Sequence, residues 1–383
     1  MSNLDRVLKL IIDSEGISRT MISERSSLSR SAVAALVSTL IASGRVQEGD
    51  AAAGGPGSGQ GRPSALLRAV VPRAIVLGLD FGHKHVSVAA ADLEGTTLGT
   101  RRVRFDVDTN AHEAIDLAKM LVDDVLSECS PAGVPTVATV ASIPGPIDLL
   151  TGIVQSPTIL AGWVGLDPAQ EIATRFGTPV SVHNDANLGA WGERVYGAGR
   201  GVDNFVYIKA SDGIGAGIIV DGRILAGSRG LAGEIGHTAS DPEGQLCRCG
   251  NSGCIEIVAS SSAVRARLAI VNPYFDQSEP LAALTDSASK RILADAGRAL
   301  GKAIADTCNL LNPSAIILGG ELGEAGDAFV LGVRESVDRL AQPATAATVT
   351  IVVAETGRDA ELKGALARAI SEGRKSSLAA ALA

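Results

Sequence analysis

Apolar residues at Leu4, Val7, Leu8, Ile11 and Ile12 recur every three or four positions, the period of one helix face. Gly16 ends that helix. A second, short helix is predicted from Ser18 or Arg19 through Arg25, followed by the turn "SSLS", whose Leu28 plugs the core. Ser29 is placed to cap a longer helix running to about Ser43. Its inner face is Val33, Leu36, Val37, Leu40 and Ile41, and Gly44 closes it. Two short strands, 45–48 and 65–70, then flank a Gly-rich stretch in the manner of a wing.

Beyond residue 73 the period shortens. Strands are predicted over 76–79 and 86–91, with a tight turn at Gly82, and over 101–107, ahead of a helix over 111–127. "VPTVATVASIPGPID" reads as a buried strand ending in a Pro-Gly loop. "TPVSVHNDANLGAWGERVYGAG" reads as a strand, then Asn184-Asp185, then a helix. "NFVYIKASDGIGAGIIVDGRIL" is a strand, a Gly-rich turn and a second strand, and "PSAIILGGEL" is a late strand ending in a glycine pair. Strand pairs with glycine turns, separated by helices, fit a two-lobed α/β body with a cleft.

A chain of 383 residues suits two or three domains, and 46% hydrophobic with 20% charged residues describes a soluble globular protein. No run of about 18 apolar residues suggests a membrane span. The amphipathic start carries acids and does not read as a secretory signal, so a cytoplasmic protein is expected. Net charge is −8, unevenly spread: residues 1–73 hold nine Lys/Arg against six Asp/Glu, or +3, and the remainder carries −11. A basic head on an acidic body suggests that the head meets a polyanion. Charge alone leaves nucleic acid and chance evenly matched. The helix, short helix, turn, longer helix order beside it is the helix-turn-helix order and favours double-stranded DNA over a plain three-helix cap. The candidate DNA contacts are Arg19, Ser29, Arg30 and Ser31, with Arg62 in the wing. Ala34 and Ala35 offer only apolar contact, so base readout from this helix is thin. "GRP" at 61–63 suits an A·T-rich minor groove or a plain linker equally.

Five cysteines are present, and Cys247, Cys249 and Cys254 crowd into eight residues. An odd, clustered set argues for metal over disulfides. With His237 they offer one imidazole and three thiolates, which suits a tetrahedral, structural Zn²⁺ with no open position. Cys129 and Cys308 stand alone in helical patterns and are expected to be buried and inert.

"NDAN", "GIGAGIIVDG", "GLAGEIGH", "CRCGNSGCIE" and "IILGGEL" follow one another in an order that resembles the ROK family, named for repressors, open reading frames and kinases. The likeness spans about residues 4–370, and the head resembles the repressor branch. It implies an N-terminal winged helix-turn-helix followed by a two-lobed actin-like (sugar kinase/ribonuclease H-like) ROK body. The domains expected are 1–70 for the head, 74–184 with 358–383 for the first lobe, and 185–357 for the second lobe with the zinc site. By resemblance Gly145, Asn184, Asp185, Glu234, His237 and Glu256 line a sugar pocket shaped by the zinc loop. Asp185 matches the general base of the kinase branch.

The resemblance also shows what has changed. Family kinases carry Asp-x-Gly-Gly-Thr-Lys at the first phosphate hairpin; here residues 80–85 read "DFGHKH". They carry Gly-Thr-Gly-x-Gly-x-Gly at the second; here 211–217 read "SDGIGAG", with Asp212 set to repel a γ-phosphate. Phosphoryl transfer rests on positioning and electrostatics, so two altered hairpins argue against a catalytic role. The expectation is a sugar- or sugar-phosphate-responsive regulator acting as a homodimer or tetramer on an operator. The alternatives are an active sugar kinase with an appended head and a protein-binding scaffold.

Overall fold

The structure, a computed structural model, describes residues 2–12, 14, 16–49, 65–70, 73–129, 133–154 and 158–380. The chain divides into two compact units, Met1–Ala74 with Ser371–Ala383 and Ile75–Ile370.

In the head, α1 (Asn3–Ile12), α2 (Arg19–Ser26) and α3 (Arg30–Ala42) precede β1 (Val46–Gly49), which pairs antiparallel with β2 (Leu66–Ala69). Val7, Leu8 and Ile11 of α1 meet Ile22 of α2 and Val33, Val37 and Leu40 of α3, and Ile17, Val46 and Leu67 complete the core. Leu28, Leu36 and Ile41 pack on it partly buried. Ser29 caps α3 as the sequence suggests, and Ser18 caps α2. Ser18 accepts from the N–H of Met21 and Ser29 from that of Ala32, each worth about 1 kcal/mol. Ser27, in the left-handed region at φ 58°, turns the chain between α2 and α3.

The body starts with β3 (Ile75–Gly82), β4 (His85–Asp92) and β5 (Thr97–Arg104) as an antiparallel meander. Helix α4 (Ala111–Cys129) returns the chain to β6 (Thr136–Ile143), and α5 (Pro168–Phe176) returns it to β7 (Val180–Asn184), both parallel to β3. The first sheet has the order β5-β4-β3-β6-β7. After α6 (Asp185–Tyr196) the plan repeats. Strands β8 (Phe205–Ala210), β9 (Ile214–Val220) and β10 (Arg223–Ile224) form the meander. Then come α7 (Ile255–Ala259), α8 (Ser261–Val271) and the long α9 (Ser287–Leu311). They lead to β11 (Ala315–Gly319), α10 (Gly320–Gly323), α11 (Asp327–Leu340), α12 (Pro343–Thr348) and β12 (Thr350–Val353). The second sheet has the order β10-β9-β8-β11-β12. Helix α13 (Ala360–Ala380) ends the described chain.

Each lobe closes its own core. Leu79, Phe81 and Val88 pack with Ile115, Val122 and Trp163 in the first, where Phe81 and Trp163 meet edge to face at 5.4 Å. Ile208, Leu300, Ile304, Phe329 and Val333 pack in the second. Gly78 on β3 lies so close to α13 that a Cβ would stand 3.0 Å from the Leu366 amide nitrogen, so any larger residue there would press the helix away by a few tenths of an ångström. Cys308 is buried as expected. Cys129 is only half-buried, because it ends α4 over Gly99 on the edge strand β5. Strand β5 also starts and stops a few residues earlier than the sequence suggests. Among the described residues no helix is long and apolar enough to cross a membrane.

Candidate functional site

The β3–β4 and β8–β9 hairpins, the start of α6 and the segment leading into α7 line a cleft open to solvent. Gly145, Asn184, Asp185, Glu234, His237 and Glu256 all line it. So do His83, Lys209 and Arg248, none of which sequence reasoning placed in the site.

Asn184 ends β7 and caps α6: its Oδ1 accepts from the Asn187 N–H at 3.1 Å, while its amide points to the Gly145 carbonyl at 3.4 Å. Capping and lining therefore coexist. Asp185, the first residue of α6, is 7% exposed. Its Oδ1 accepts from the Ala186 N–H at 2.7 Å, at the positive end of the helix. Its Oδ2 accepts from Lys209 Nζ at 2.6 Å. Lys209 projects from β8 and also stands 3.8 Å from Glu361 Oε1, in the first turn of α13 behind the cleft. Burial works against the Lys209 charge, but Asp185, Glu361 and Asp80 outweigh it and hold the ammonium above its ordinary pKa. Burial pushes the Glu361 carboxyl up to about 7, with Asp80 and Asp185 adding to the rise against the pull of Lys209. Tyr207, two residues before Lys209 and fully buried, donates to the same Glu361 oxygen at 3.3 Å.

Glu256 sits in the first turn of α7 and is fully engaged. Its Oε2 accepts from the Ile214 N–H and its Oε1 from Arg248 Nε, both at 3.0 Å. It thus ties the cysteine-rich loop to β9. Glu234 stands at the mouth with its side chain 39% exposed. The desolvation it does suffer, with Asp185 and Glu256 nearby, pushes its carboxyl up to about 7.

The donor atoms of His237, Cys247, Cys249 and Cys254 all lie within 4.8 Å of one another. Cys249 and Cys254 Sγ are 3.6 Å apart, far from disulfide bonding, and His237 Nδ1 is 3.7 Å from Cys247 Sγ. Thiolates on a tetrahedral zinc stand about 3.8 Å apart, from bonds of about 2.3 Å, so the donor set fits a closed metal site. His237 Nε2 is left on the cleft side, 4.0 Å from Glu234 Oε2. The knuckle depends on Gly253: its φ is +68°, and a Cβ would lie 1.5 Å from the Asp241 carbonyl oxygen.

The turns of the β3–β4 and β8–β9 hairpins are occupied by side chains of the chain itself. His85 folds back over Gly82 and its Nε2 pairs with Asp80 Oδ2 at 2.8 Å. Burial pushes the Asp80 carboxyl up, but the charge and hydrogen bond of His85 and the charge of Lys209 bring it down to about 2. His83 Nδ1 pairs with Asp108 at 2.7 Å. Lys84 in the first hairpin turn reaches Asp212 in the second at 2.6 Å, and Ser261 Oγ donates to the same carboxylate. Burial opposes ionisation of Asp212, yet Lys84 and Ser261 hold its carboxyl below the ordinary value.

In the head, Arg30 and Ser31 are exposed at the start of α3, beside the exposed Ala34 and Ala35. Ser29 uses its hydroxyl as the cap. Arg19 is half-buried and paired with Glu48 of β1, which ties α2 to the wing strand and leaves it a lesser candidate for phosphate. Arg62 and the "GRP" segment lie outside the described residues.

The model of the ROK family matches residues 76–372. The chain is 29% identical over 370 residues to a xylose repressor of Bacillus spizizenii, covering 94% of this chain and 93% of that one. It is 30% identical over 312 residues to a glucokinase of Thermotoga maritima, covering 77% of this chain and 97% of the enzyme. A solved ROK family transcriptional regulator, described as a homolog of the E. coli MLC protein, superposes with a TM-score of 0.76 at 26% identity over 98% of each chain. With the twice-repeated strand plan, the cleft and the His-Cys cluster in place, the chain belongs to the ROK family.

Proposed function

We propose that the protein is a sugar-responsive, DNA-binding transcriptional regulator, a repressor of carbohydrate genes, that no longer acts as a kinase. The observation that carries this reading is the pair of self-filled hairpins. A nucleotide phosphate would have to displace His85 from Asp80 and Lys84 from Asp212 before meeting any backbone amide. The repressor relative and the regulator structure run the full length of the chain, head included, which supports the same reading.

In this reading Asn184, Asp185, Glu234, His237 and Glu256 meet sugar hydroxyls, Gly145 brings backbone close, and the ligand is a pentose or hexose. Every charged group of the pocket wall named above except Glu234 already has an opposite partner, so an unphosphorylated sugar fits the balance better than a phosphate ester. Zinc held by His237, Cys247, Cys249 and Cys254 keeps the loop in shape and takes no part in chemistry. Two copies of the chain would set Arg30 and Ser31 of each head at half-sites about one helical turn apart. The protein works in the cytoplasm, where its operator is.

The second reading is a sugar kinase with an added head. Asp185 in the pocket and the glucokinase relatives favour it. Against it, both Asp185 oxygens are already engaged, so a base role there would first require Lys209 to let go.

Sequencing the genomic fragments captured by the purified protein tests the proposal. Palindromic sites beside sugar uptake or catabolism genes are expected. Binding that follows only salt, together with ATP turnover over a sugar panel, would instead establish the kinase. Within the same assay Arg30→Ala should weaken operator binding by about tenfold or more and leave sugar binding unchanged, since its side chain points away from the head core. Equal DNA affinity in that variant would refute the placement of α3 in the groove. Glu234→Ala should abolish the sugar response, and an unchanged response would refute the pocket assignment.

A further inference from the structure

Lys209 lines the cleft and also reaches α13, through Glu361. Its ammonium is shared unequally, 2.6 Å from Asp185 Oδ2 and 3.8 Å from Glu361 Oε1. The two carboxylates differ in what else they meet. Asp185 lines the cleft, where a sugar hydroxyl would donate to it; Glu361 does not. The neighbours of Glu361 are rigid. Tyr207, its hydrogen-bond donor, is wedged between Gly189 and Gly319, at each of which a Cβ would meet the ring at 2.4 Å. Lys209, on a flexible four-carbon stem, is therefore the mobile member of the group.

Glu361 lies in the first turn of α13, which runs unbroken to Ala380. From Ser371 onward that helix belongs to the unit that contains the head.

We propose that Lys209 is the sensing residue of the pocket: when a sugar hydroxyl occupies Asp185, the ammonium shifts toward Glu361, and α13 carries the change toward the DNA-binding unit. This rests on the reading of the cleft as a sugar site and of the protein as a regulator. Lys209 is a positioning residue here, acting through Asp185 on one side and Glu361 on the other. Only a second carboxylate beyond the first gives the ammonium somewhere to go. A buried lysine that merely neutralised Asp185 would not need Glu361 at all.

The test uses the full-length protein, D-xylose and D-glucose as sugar probes, and the tightest genomic fragment from the capture experiment as DNA probe. In the wild type, whichever sugar binds by calorimetry should change DNA affinity by about fivefold or more. Glu361→Gln should bind that sugar within about threefold of wild type, while its DNA response falls below about twofold. Glu361→Asp, which keeps the charge and draws it back by one methylene, should weaken the response in the same direction and serves if the first variant does not fold. A Glu361→Gln protein that binds the sugar and responds like the wild type overturns the relay. So does one that loses sugar affinity along with the response, because Glu361 would then belong to the frame of the pocket. A wild type that binds sugar without any change in DNA affinity overturns the regulator reading instead, and one that binds neither sugar overturns the pocket; both carry this inference away with them.

Discussion

Lys209→Met should destabilise the protein by about 3–5 kcal/mol, the usual cost of breaking a buried ion pair from one side. The side chains of Lys209 and Asp185 are only 11% and 10% exposed, so solvent cannot take over the lost contact. Three carboxylates, Asp80, Asp185 and Glu361, would then face one another with their shared cation gone. Burial of methionine in place of the lysine stem gives little in return. Urea unfolding followed by far-UV circular dichroism reads the loss. Adding Asp185→Asn to Lys209→Met should restore part of it, because the second change removes the stranded charge. A loss below about 1 kcal/mol in the single variant would contradict the placement of Lys209 as counter-ion to the group.

Metal removal should cost the pocket more than it costs the head. Chelation, or Cys247→Ser, is expected to lower sugar affinity by about tenfold or more, equivalent to about 1.4 kcal/mol. The cause is geometric. His237 and Arg248 both line the cleft, and Arg248 sits between two of the cysteines, so loosening the knuckle frees the wall. The head has a core of its own around Leu8, Val37 and Leu67, which gives DNA binding in the absence of sugar no reason to fail. Elemental analysis of the native protein should find one zinc per chain. Full sugar affinity in verified metal-free protein would refute the structural role of the loop.

What could be read from the sequence, and what could not, follows the range of the forces involved. The head was legible because its signals are local: Ser18 and Ser29 each cap a helix three residues on, and the apolar face of α3 repeats within one element. The His-Cys cluster was legible because a metal site would fix residue type and spacing together, and the four donor atoms do converge. The pocket residues came from family resemblance, and the cleft brings all six together. The ion pairs were not legible. Lys209 meets Asp185 across 24 positions, and Lys84 lies 128 positions from Asp212, distances over which sequence alone carries no register. One signal was available for Lys209. A lone charge inside the apolar run "FVYIKA" of a central strand must have a partner, since an unpaired buried lysine is rarely tolerated.

The outward face of α3 bears one more consequence. Arg30, Ser31, Ala34, Ala35, Ser38 and Thr39 are exposed, and apart from the arginine none extends far. The inward face of α3 joins the head core through Val33, Val37 and Leu40. On the proposed reading this face is a nearly blank reading surface: longer polar side chains at Ala34 or Ala35 would add base contacts without touching the buried Val33, Val37 and Leu40. The cleft residues His83 to Glu256 would stay as they are, so operator preference could be rewritten with the pocket intact.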